Sequence, residues 1–178
     1  MDFWHNMAYK YIPIKKEIIN ESNHIIKKLF QNSNNILGVL IRGTDYVINK
    51  PKTHCIPPTL KVLFRDIKEM NMKYKYDLIF LTTEDDKIRT KFINHFRKKL
   101  RYLKPNIRLD YDYKKKKWLA YNKNVNGNFH FMKIYLINII ILSKCNDILC
   151  ARTGGSVGAF ILTEGFRNIK VYYLGRYK

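Results

Sequence analysis

Ile36-Leu37-Gly38-Val39-Leu40-Ile41-Arg42-Gly43-Thr44-Asp45-Tyr46 is an apolar run that stops abruptly in a turn of Arg, Gly and Thr. Only Gly38 interrupts the run, so the segment suits a β-strand covered on both faces, as in a parallel sheet flanked by helices. A second segment repeats the grammar: Asp147 to Ala151 reads as a strand, and Arg152-Thr153-Gly154-Gly155-Ser156 turns it into a helix over Ser156 to Thr163. In an open α/β sheet such turns meet at the carboxyl ends of the strands, where ligands bind. Arginine, hydroxyls and backbone N–H groups are the partners a phosphate requires.

The strand–helix alternation continues on both sides. Thr59 is placed to cap a helix reaching about Met70. Asp77 to Leu81 reads as a second strand, Lys87 to Leu100 as a helix, and Asn106 to Tyr113 as a third strand. Lys114 to Asn128 reads as an exposed loop, Phe131 to Cys145 as a strongly apolar helix, and Ile169 to Leu174 as the last strand. The order predicts parallel βαβ units: an open, mostly parallel sheet with helices on both faces, a Rossmann-like half domain. Residues 35–178 would form this domain. Residues 1–34 read as a helical arm, with Pro13 at or before a helix start and Ile18, Ile19, Ile25, Ile26 and Phe30 on one apolar face.

The chain has 178 residues and a formal charge of +20, from 34 Lys and Arg against 14 Asp and Glu. Nucleic acid, an anionic membrane surface and a compositional bias toward Lys, Asn and Ile all fit that charge. The Asn- and Ile-rich text favours bias for much of it, with some functional basic surface. No nucleic-acid-binding motif accompanies the charge, which argues against a nucleic-acid partner. Cys55, Cys145 and Cys150 form no CxxC pair, which speaks against zinc or redox chemistry and for a reducing compartment. Met1 to Tyr9 lacks the apolar core of a signal peptide. Ile134 to Leu142, broken by Asn138, is far short of the roughly 20 residues of a membrane span. The expected location is the cytoplasm, with at most peripheral contact with the inner face of the membrane.

Each candidate residue has a plainer reading beside the functional one. Arg42 can grip an anion in bidentate fashion, with Asp45 orienting it, or the two can be a surface pair closing a strand. The Arg152–Ser156 turn can face an anion through the first helical N–H groups, or be an ordinary turn with Ser156 as N-cap. It has neither GxGxxG nor the GK[ST] ending of a phosphate loop. Glu84, Asp85 and Asp86 can bind a metal or a hydroxyl-rich ligand, or simply favour a helix N-terminus. His54 can serve as a base or a ligand contact, or as neither.

Together, and in this order, these residues resemble the GDP-fucose-dependent fucosyltransferase superfamily, above all bacterial surface-polysaccharide members with Gly-Val-x-x-Arg-Gly-Thr-Asp-Tyr, here Gly38 to Tyr46. The likeness runs from about Ile36 to Tyr177. It implies the C-terminal, nucleotide-binding half of a GT-B glycosyltransferase that transfers with inversion and without an essential metal or other cofactor. Arg42 matches the arginine that grips the donor's β-phosphate, and Asp45 the acid closing the same turn. Gly43, Arg152, Thr153, Gly154, Gly155 and Ser156 fall in the turns lining the diphosphate. The implied partners are a nucleotide-sugar, GDP-fucose first, and a glycan or lipid-linked glycan acceptor; Asp45 and His54 are the base candidates. The chain departs from the family pattern at Leu40 (often His), Gly43 (often a second Arg) and Gly154 (usually Ser). The helix 131–145 also lacks the acid that helps read guanine. A GT-B enzyme has two domains, and only a short arm precedes Ile36. Two readings stand beside a transferase: a non-catalytic nucleotide- or polyanion-binding protein on the same fold, and a charge-driven nucleic-acid-binding module.

Overall fold

The computed structural model describes residues 2–103, 111–112, 117–118 and 125–178. Five parallel strands form one sheet in the order β3-β2-β1-β6-β7. They are β1 (Ile36–Leu40), β2 (Leu78–Thr82), β3 (Leu100–Arg101), β6 (Asp147–Ala151) and β7 (Asn168–Tyr172). β4 (Tyr111–Asp112) and β5 (Lys117–Trp118) make a separate antiparallel pair. The helices are α1 (Asp2–Tyr11), α2 (Lys16–Phe30), α3 (Thr44–Ile48), α4 (Leu60–Tyr74), α5 (Asp86–Phe96), α6 (Val125–Ser143) and α7 (Gly154–Leu162).

All residues of β1, β2 and β6 are buried, as their largely apolar text demands, with Thr82 and Asp147 as the polar residues at strand ends. Alternate side chains serve two cores. Ile36, Leu40, Phe80, Ile148 and Cys150 face one core with Ile137, Ile141 and Leu142 of α6 and Ala159 of α7. Leu37, Val39, Ile79, Leu81 and Leu149 face the other, with Leu63 and Ile67 of α4 and Phe92 of α5. Gly38 lies on the α6 side. A Cβ there would come within 2.7 Å of Leu142 Cδ1 and 3.1 Å of Cys145 Sγ, so the missing side chain lets α6 settle onto β1. Residues 1–34, expected as a helical arm, supply α1 and α2. The apolar face of α2 packs into the α6 core, where Phe30 meets Phe80 edge-on.

Thr59 caps α4, accepting from the Val62 N–H, as expected. Two readings need correction. The helix expected through Leu100 ends at Phe96; a short 3₁₀ turn follows, and Leu100, buried beside β2, starts β3. The helix after β6 begins at Gly154 rather than Ser156, because Thr153 holds the cap. The Asn106–Tyr113 strand and the Lys114–Asn128 loop fall mostly outside the described residues; within them, residues 111–112 pair with 117–118 and residues 125–128 begin α6.

Two buried carboxylates tie the layers together. Asp147, at the start of β6, accepts from Arg167 Nε (3.0 Å) and Nη2 (2.9 Å), from the Asn168 N–H (3.1 Å) and from the Tyr76 hydroxyl. Asp66 on α4 meets Lys170 Nζ (2.8 Å), Arg65 Nη2 (3.0 Å) and the Tyr172 hydroxyl (2.7 Å). Burial alone would raise both acids. Their donors more than offset it and hold each below the usual aspartate value. All three cysteines are buried and free; burial pushes the Cys150 thiol up to about 12. No described helix is long and apolar enough to cross a membrane.

Candidate functional site

From β1 the chain crosses through α4 to β2 and on to β3 on one side. β6 and β7 lie on the other side of β1. The order therefore reverses between β1 and β6, and the crevice beyond their carboxyl ends is the topological switch point. Leu40 pairs with Cys150 in register, so the turns carrying Arg42 and Arg152 leave the sheet side by side.

After β1 the chain is steered by its other neighbour. The Ile41 N–H donates to the Thr82 carbonyl (3.1 Å), carrying the parallel pairing one residue past β1. Glu84, two residues beyond β2, turns back. Its Oε1 accepts the Gly43 N–H at 2.7 Å and lies 3.6 Å from Arg42 Nε. Both side chains are largely buried, Arg42 at 22% and Glu84 at 10% exposure, so the pair is little screened by solvent. The Arg42 guanidinium sits 5.1 Å from the centre of the Tyr46 ring, within cation–π range. Tyr46 in turn meets the His54 ring edge-on at 5.2 Å. Asp85, beside Glu84, caps α5, accepting from Lys87 N (2.8 Å) and Ile88 N (3.1 Å).

After β6 the turn is closed by a capping box. The Thr153 N–H donates to Ser156 Oγ (2.9 Å), and the Ser156 N–H donates to Thr153 Oγ1 (3.3 Å). Ser156 is buried at 1% exposure and its hydroxyl also donates to the Thr153 carbonyl (2.8 Å). Its work is thus structural: it fixes the backbone of the turn from behind. Nothing lies within 4 Å of a Cβ built on Gly154, so that backbone opens outward. Gly155 is the opposite case. A Cβ there would stand 2.7 Å from the Tyr135 hydroxyl and 3.3 Å from Leu40 Cδ2. Burial raises the Tyr135 phenol above its ordinary value; Arg42 pulls against this and Glu84 adds to it. The hydroxyl is therefore neutral at physiological pH, and it lies against the first turn of α7 within electrostatic reach of Arg42 and Glu84.

Two clefts flank α3. One, of about 340 Å³, is lined by Tyr46, His54, Arg152, Thr153, Gly154 and Arg176, among others. The other, of about 410 Å³, is lined by Arg42, Gly43, Asp85, Lys87 and Lys91 with apolar residues that include Val47 and Ile48 of α3. Of the expected site residues, Arg42 and Gly43 thus line one cleft and His54, Arg152, Thr153 and Gly154 the other, each cleft bordered by α3. Among the described residues, no three His, Cys, Asp or Glu side chains gather as metal ligands.

No protein-family model matches the chain, and no curated protein does. Solved structures do. The NodZ alpha-1,6-fucosyltransferase soaked with GDP-fucose superposes with a TM-score of 0.51 at 14% identity, over 84% of this chain and 42% of that one. The Bradyrhizobium NodZ in selenomethionine form gives 0.52 at 13% identity. POFUT1 in complex with GDP gives 0.55 at 7% identity, over 89% of this chain and 48% of that one. The fold is that of one part of these GT-B fucosyltransferases. The chain spans less than half the length of each of these fucosyltransferases.

On this fucosyltransferase fold, Arg42 and Gly43 line one cleft, and His54, Arg152, Thr153 and Gly154 line the other. Gly155 lies beneath Tyr135, and Ser156 is turned inward. Asp45 belongs to α3, but its side chain is outside the described set. His54 Nδ1 lies 3.1 Å from the Lys52 carbonyl, a local contact that steadies its ring. Sequence reasoning missed Glu84 as the partner of Arg42, although its place just past a strand adjoining β1 was the available signal. It also missed Tyr135, a phenol in a largely apolar helix, and Arg176, which nothing local marks.

Proposed function

We propose that this chain is the nucleotide-binding half of a glycosyltransferase, binding a nucleoside diphosphate-sugar, GDP-fucose first, for inverting transfer to a glycan or lipid-linked glycan acceptor. The observation that carries the reading is the reversal of strand order between β1 and β6, beyond which the Arg42 and Arg152–Thr153 turns emerge together. Negative charge develops on the departing diphosphate as the sugar bond breaks, and a guanidinium held in place beforehand lowers that barrier. Arg42 fills this role, with Gly43 and the Arg152-Thr153-Gly154 segment as the diphosphate's walls, while Gly155 and Ser156 hold that turn from behind. No metal is required when arginines carry the charge. The acceptor's proton goes to a base for which Asp45 and His54 are the candidates. The fold shared with enzymes soaked with GDP-fucose, co-crystallised with GDP or in complex with GDP supports the choice of donor. The test is release of GDP from GDP-fucose, alone and with polysaccharide acceptors. Transfer or hydrolysis lost in Arg42→Ala supports an enzyme; donor binding without turnover supports the second reading.

That second reading is a non-catalytic nucleotide- or polyanion-binding protein. One observation favours it: residues 131–145, on the helix facing the switch point, contain no carboxylate.

A further inference from the structure

Residues 175–177 pair with the loop that precedes α4. The Thr53 N–H donates to the Tyr177 carbonyl (3.0 Å), the Tyr177 N–H to the His54 carbonyl (3.0 Å), and the Ile56 N–H to the Gly175 carbonyl (3.1 Å). Cys55 and Arg176 form the antiparallel bridge between these bonds. Residues 53–56 and 175–177 are thereby laced into one wall, and Arg176 faces the α7 turn across the 340 Å³ cleft. Arg152 lines the same cleft from the end of β6. Among the described residues, neither guanidinium makes an ion pair or a side-chain hydrogen bond, and no acid lines the cleft. The adjoining cleft differs, because Asp85 lines it. Two arginines around one concavity, with no carboxylate among its described lining residues, are a site for an anion with several acceptor oxygens.

We propose that Arg152 and Arg176 form a second phosphate-binding pair beside Arg42, so that residues 175–177 are a wall of the nucleotide site. This rests on the donor reading and adds to it a residue far from both signature turns. The bound group is a phosphate held between Arg152 and Arg176, part of the same nucleotide whose leaving diphosphate Arg42 serves. The Arg176 backbone makes its bridge to Cys55 whatever the side chain, so substitution there spares the wall.

The experiment is calorimetry of GDP and of inorganic pyrophosphate with wild type, Arg42→Ala, Arg176→Ala and Arg176→Gln. The proposal expects each Arg176 variant to bind both ligands about tenfold more weakly, the loss of one charged hydrogen-bonding partner. The glutamine variant, which keeps most of the stem, guards against loss of the fold, and an unchanged melting temperature verifies it. Wild-type affinity in both Arg176 variants, with binding weakened in Arg42→Ala, overturns the proposal and leaves the donor reading standing. Absence of binding of either ligand to wild type overturns both.

Discussion

Arg42 takes its direction from Glu84. One carboxylate oxygen holds the Gly43 N–H and lies beside Arg42 Nε, while Tyr46 covers the guanidinium. Glu84→Ala removes both contacts and frees the turn, so GDP affinity should fall about tenfold. Glu84→Gln keeps an oxygen for the Gly43 N–H and should lose less than threefold, since what it removes is charge that competes with the ligand. Equal losses in the two variants would mean that the carboxylate's charge, not its hold on the backbone, matters. Arg42 was legible in the sequence because it follows a run that can only be a buried strand. Glu84 was not, since an acid run before a helix reads first as a cap, and Asp85 does take that role.

At the scale of elements, the strands announced themselves wherever burial on both faces confined polar residues to the strand ends, as with Thr82 and Asp147: β1, β2 and β6 were all readable. β3 was not, because two residues carry no periodicity and the preceding basic helix extends its pattern into them. The start of α7 was misread by two residues, since Thr153 and Ser156 both suit a cap and only the reciprocal hydrogen bonds decide between them. The contact between β1 and α6 makes a sharp prediction. Gly38→Ala places a methyl group 2.7 Å from Leu142 Cδ1 in a filled core. It should cost about 1–3 kcal/mol in urea unfolding, the usual cost of overpacking. A neutral result would show that α6 lifts away from the sheet at little cost.

At the scale of the whole molecule, sheet order is what no local text reveals. The sequence implied parallel units, but only the placement of β6 beside β1 creates the crevice. The same holds for Asp66 and Asp147, which join elements far apart in the chain. Both acids are held below the usual value of 3.8 in the folded state. Their contribution is therefore present above about pH 4 and is lost as pH falls through their lower folded values. Stability measured by denaturant titration should decline over that acid range, and Asp147→Asn should flatten the decline. At neutral pH that variant should lose about 2–3 kcal/mol, less than a fully buried pair because Arg167 is half exposed. The switch-point crevice itself is tested most directly by titrating GDP calorimetrically into wild type and Arg42→Ala. Saturable binding weakened about 10- to 100-fold by the substitution is the expected result. Binding that is absent, or indifferent to Arg42, would contradict the account.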